Sequence, residues 1–118
     1  MDATKMRIIT LDVASAKDVR RRALEAFKGK RQRPRISFAT PELLWRVLTV
    51  KRWELLKAIV GQGPLTIRAA ARRSGRDVKA VHSDVHALLN AGLLERTPDG
   101  RIVFPFDAVH VDFTVRAA

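Results

Sequence analysis

Cysteine is absent from the 118 residues, which removes disulfides and thiolate metal sites at once. No apolar run approaches the roughly 18 residues that span a bilayer. The opening MDATKMRIITLDV also lacks the continuous apolar stretch and small-residue cleavage site of a secretory signal. A soluble chain with a cytoplasmic address and no membrane partner is the expectation. Motifs of catalysis are missing too: no glycine-rich loop follows a strand, SDVH is not a nucleophile elbow, and the carboxylates are scattered. The chain therefore reads as a non-enzymatic protein without a cofactor.

Acidic residues are few beside basic ones, 12 against 23, and the net charge is +11. An excess of this size favours a polyanionic partner, through Coulomb attraction and counterion release. The excess is localised. Residues 17–35 hold nine cations (Lys17, Arg20, Arg21, Arg22, Lys28, Lys30, Arg31, Arg33, Arg35) against Asp18 and Glu25, and residues 68–79 hold Arg68, Arg72, Arg73, Arg76 and Lys79 against Asp77. The remainder is neutral.

What is present is a series of short amphipathic segments. KMRIITL (5–11) reads as a strand. Ser15 and Asp18 form a capping pair ahead of Val19, Ala23, Ala26 and Phe27, whose spacing predicts a helix over 16–28. KGKRQRPR (28–35) has nothing to bury and reads as a mobile basic linker, separating an N-terminal arm (1–35) from the rest (36–118). At this length one core is expected.

Thr40-Pro41 starts a helix, and the β-branched pair Thr49 and Val50 predicts a break between two helices before Gly61, Gly63 and Pro64. Thr66 caps a helix over 67–73 that Gly75 closes; Asp77 caps the next over 78–90, which stops at Gly92. LLERT, PDG and RIVFPF then read as strand, turn and strand. Val109, Val111, Phe113 and Val115 alternate with His110, Asp112, Thr114 and Arg116, a half-buried strand. This strand and RIITL are the expected interface elements, paired within or between chains. Trp45 and Trp53 sit in apolar helical patterns and are expected in the core, and Phe104 and Phe106 behind the hairpin.

On a wheel of about 100° per residue, Val78, Val81, Val85, Leu88 and Leu89 gather on one side of the 78–90 helix. Lys79, Ser83, His86 and Asn90 lie opposite, with His82 on the flank and Asp84 as the exceptional acid. A helix, a tight glycine turn, a second helix with a polar outer face and a following hairpin make a winged helix-turn-helix, whose second helix enters the major groove. The expected fold is thus α+β, mainly α: a winged helix-turn-helix with an N-terminal strand-helix arm and a C-terminal strand.

On that reading Arg68, Arg72, Arg73 and Arg76 meet phosphates. Lys79, His82, Ser83 and His86 meet base edges, and Arg96 and Arg101 flank the hairpin tip. A single charged residue is as often merely solvated; the clustering beside the turn raises the joint case. His82 and His86 stand at a metal-ligand spacing, but no third ligand is evident, so no metal is expected.

Three phrases, ISFATPELLWRVLTVKRWELLKAI, RDVKAVHSDVHALLNAGL and GRIVFPFDAVHVDF, resemble small prokaryotic DNA-binding proteins of the MarR-like winged helix-turn-helix type. The resemblance implies a transcriptional regulator, with DNA contacts on Lys79, His82, Ser83 and His86. Some similar proteins are paired with toxins as antitoxins that repress their own operon. Double-stranded DNA is the expected partner and a homodimer the expected form, since one helix reads only a few base pairs and two about 34 Å apart read a palindrome. Two other readings stand beside it: an antitoxin-type interaction protein that binds a toxin, and RNA or anionic-membrane binding through KGKRQRPR.

Overall fold

The computed structural model describes residues 6–117. Among the described residues five helices and five short strands make a small α+β fold. The chain divides into two compact units, one of Met1–Arg46 with Ala108–Ala118 and the other of Val47–Asp107. Two units replace the single core expected from length, and the expected boundary at residue 35 is not the observed one. Hydrogen bonding explains the difference: the C-terminal strand pairs with the first strand and so belongs with the N-terminal segment.

The first unit is a three-stranded sheet in the order β2 (Arg35–Phe38), β1 (Ile8–Val13), β5 (Ala108–Asp112), with β1 central and parallel to both neighbours. The strand foreseen over 5–11 is displaced toward Val13, and Lys5 lies outside the described residues. Helix α1 (Ala16–Phe27) joins β1 to β2, as parallel neighbours require a crossover. KGKRQRPR is therefore a loop inside a β-α-β unit rather than a boundary. It is tied at both ends, the Lys30 amide donating to the Glu25 carbonyl and the Thr10 amide to the Pro34 carbonyl.

Register partners in a sheet point to one face. Ile9, Leu11 and Val13 align with Ile36, Phe38, Val109 and Val111 on an apolar face; Thr10 and Asp12 align with Arg35, Ser37, His110 and Asp112 on the other. Side-chain bonds from Arg22 to Asp12 and Ser37 hold α1 on the polar face. The helix consequently buries no residue, and the stripe that predicted it is turned to solvent: Val19 is 45% and Phe27 91% exposed, with Ala23 and Ala26 exposed between them and Leu24 exposed beside them. Alternation in β5 holds through Phe113 and fails at Val115, which is exposed beyond the end of the strand. Trp45, expected in the core, is half exposed at the end of α2 (Pro41–Val47), and its ring meets the edge of Phe113 at 5.3 Å.

In the second unit, α4 (Ile67–Ser74) and α5 (Val78–Ala91) pack on α3 (Val50–Ile59). Thr49, Thr66 and Asp77 each accept a backbone N–H three residues on, as helix caps do. The break at Thr49 is real. Leu55, Val81, Val85, Leu88, Leu93 and Ile102 are fully buried, each contributing about 1.5–3 kcal/mol of burial energy. Phe104 is buried and meets the half-buried Phe106 edge-on at 5.6 Å.

Candidate nucleic-acid interface

Gly75 ends α4 in the left-handed conformation, φ 68°, which glycine adopts without a Cβ penalty. The Arg76 amide closes the turn on the Ala71 carbonyl, and Asp77 then caps α5. The corner is thus three residues long. Val81, Val85 and Leu88 of α5 are buried and Leu89 is half-buried, whereas Val78, expected on the same side, is 39% exposed; Lys79, His82, Ser83, His86 and Asn90 are exposed on the outer side.

Asp84, the exceptional acid of the helical wheel, is turned inward. Its carboxylate accepts from Arg52 Nε at 3.0 Å and Arg76 Nη2 at 2.7 Å, and all three side chains are at most 20% exposed. Arg52 also donates to the Val47 carbonyl and Arg76 to that of Lys51. Two consequences follow: the outer face of α5 carries no carboxylate, and Arg76, expected at a phosphate, is instead a strut between α5 and α3. The signal was on the wheel, where Asp84 lies only about 40° from Leu88. The partner Arg52, 32 residues away, was not.

The other expected contacts divide likewise. Arg68 and Arg72 are exposed four residues apart on α4, and Arg73 is exposed while its Nε donates to the Ala58 carbonyl at 3.1 Å. The rings of His82 and His86 lie 4.3 Å apart. His86 Nδ1 is 2.9 Å from the His82 carbonyl; a carbonyl oxygen can only accept, so this nitrogen carries the hydrogen and Nε2 is the acceptor of the neutral ring. Among the described residues no three His, Asp or Glu side chains converge as a metal site.

The hairpin of β3 (Glu95–Arg96) and β4 (Ile102–Val103) follows α5 directly. Reciprocal 2.8 Å bonds between Leu65 and Ile102 fasten it to the strand-like residue that precedes α4. At the tip Asp99 accepts from Thr97 Oγ1 and from Arg101 Nε at 2.8 Å. The Thr97 hydroxyl chiefly, with Arg101, holds the Asp99 carboxyl below its ordinary pKa. Arg101 is therefore engaged in neutralising the acid at the tip. Arg96 is exposed and reaches the Gly100 carbonyl at 3.4 Å.

A family model, HVO_A0114, matches residues 47–111. The chain belongs to the HVO_A0114 family. The match begins at the first residue of the second unit and extends into β5, so the helix pair and hairpin lie inside it while β1, α1 and β2 lie outside. No curated protein matches the chain.

Proposed function

We propose that the Val47–Asp107 unit is a winged helix-turn-helix of the MarR-like type that binds double-stranded DNA with sequence preference, the chain acting as a homodimeric transcriptional repressor. One observation carries the reading: α5 exposes Lys79, His82, Ser83, His86 and Asn90 while its single acid is withdrawn between Arg52 and Arg76. A helix surface of short donors and acceptors without a carboxylate suits the floor of a major groove. Arg68, Arg72 and Arg73 supply phosphate contacts from the preceding helix, and Arg96 from the hairpin.

Mobility shifts with a duplex from the chain's own promoter and a random duplex test this. Lys79→Ala with Ser83→Ala should erase the preference between them, whereas Arg72→Ala with Arg73→Ala should weaken both and flatten the salt dependence. Equal affinity of the unaltered protein for both duplexes would defeat the specificity claim.

The antitoxin-type reading has one observation in its favour, the exposed Val19, Leu24 and Phe27 of α1, an apolar face of the kind that partners cover. Co-expression with the product of the adjacent reading frame tests it: Phe27→Ser should break a complex, and absence of any complex would remove the reading.

A further inference from the structure

The first unit holds a cleft of about 670 Å³ between α1 and the loop leading into β2, and six of its lining side chains are cations: Arg21, Arg22, Lys30, Arg31, Arg33 and Arg35. Among the described residues Glu25 is the one acid in its walls. Arg22 and Arg35 converge on buried Asp12 at 3.7 and 3.2 Å, so one carboxylate serves two guanidiniums and a positive charge remains. Lys30, Arg31 and Arg33 are exposed and make no ion pair among the described residues. Such a concentration of like charge is held together against its own repulsion, and an anion entering the cleft relieves it.

We infer that this cleft is a second, sequence-independent contact for the phosphodiester backbone of duplex DNA. Among the described residues its lining has no aromatic side chain on which a base or nucleoside could stack, which leaves phosphate as the recognised group. The site is concave, and of the exposed apolar residues of α1 only Val19 reaches its wall, beside Ala23, while the more exposed Leu24 and Phe27 lie outside it; a bilayer surface would engage Leu24 and Phe27 rather than the recess. Phosphate recognition stands on the cleft alone. The choice of duplex DNA rests on the function proposed for the second unit.

The test is fluorescence anisotropy of the full chain with a labelled random-sequence DNA duplex, the matching RNA duplex and vesicles containing phosphatidylglycerol, over a salt series. Lys30, Arg31 and Arg33 lie in exposed coil, so Lys30→Ala/Arg31→Ala/Arg33→Ala leaves Asp12 and its partners intact. This variant should lower affinity for the DNA duplex about tenfold or more. It should also reduce the slope of log K against log salt by about two to three, near 0.9 for each phosphate that is no longer neutralised. Lys79→Ala/Ser83→Ala should change the slope by less than about one. An unchanged slope in the triple variant overturns the cleft, as does vesicle binding without duplex binding; tighter binding of RNA than of DNA overturns the DNA assignment. Loss of affinity in the triple variant, in a protein that prefers no sequence, supports the cleft while defeating the reading of α5.

Discussion

Each unit contains a carboxylate that holds two arginines, and the two sites differ in what surrounds them. Asp84 lies at the edge of an apolar core, with Val85 and Leu88 close by on the same helix and its arginines further tied to backbone carbonyls. Asp12 lies under α1, where Arg22 of the helix reaches its carboxylate at 3.7 Å and donates to the Ser37 hydroxyl at 2.8 Å, while Arg35 and Ser37 meet the same carboxylate from within the sheet. In the second unit polar contacts orient helices that hydrophobic burial already holds. On α1 of the first unit they stand in place of burial, and the helix keeps its apolar residues outside.

The sharpest break of that contrast is truncation of one leucine in each unit. Leu88→Ala in the core should cost about 3 kcal/mol in urea unfolding, whereas Leu24→Ala on α1 should cost less than about 0.5. Equal losses would mean that α1 has a covered face. Next come the carboxylates: Asp84→Ala strands two poorly exposed guanidiniums and should cost about 3 kcal/mol. Asp12→Ala should cost about 1–2, because Arg35 is more exposed and solvent screens it. Intact α1 amide protection in Asp12→Ala would show that another contact secures the helix.

Much of the second unit was legible in its residues because its signals are local. Thr66, Gly75 and Asp77 act within one turn of chain, and the core stripe of α5 repeats every three or four residues. The first unit is built on non-local pairing: Leu11 meets Val111 and Ile36 across long separations, which no periodicity encodes. The alternation of β5 was visible, but its partner was left open. On α1 the periodicity was correct for a helix and silent about which face would meet the sheet, since Asp12 on the facing sheet, through Arg22, decides that. At the candidate interface, the exposed residues of α5 were legible; the withdrawal of Asp84 and Arg76 was not, because Arg52 comes from another helix.

Two smaller effects sharpen the comparison. Gly75→Ala should cost about 1 kcal/mol, from left-handed backbone alone, since a Cβ there meets no atom within 4 Å. At the hairpin tip the Asp99 carboxyl is depressed by Thr97 and Arg101. A depressed carboxyl stabilises the fold above its unfolded pKa and loses that contribution as pH falls through the folded value. Acidification below the ordinary aspartate range should therefore loosen the tip, read as amide shifts at Gly100 and Arg101, and Asp99→Asn should abolish the titration.

The account turns most on the outer face of α5, and selection of binding sites from random duplex DNA examines it directly. The unaltered chain should enrich a two-fold symmetric site with half-sites about one helical turn apart, and Lys79→Ala/Ser83→Ala should enrich none while still binding duplexes in low salt. The same site emerging from both proteins, or no site from either, would contradict it.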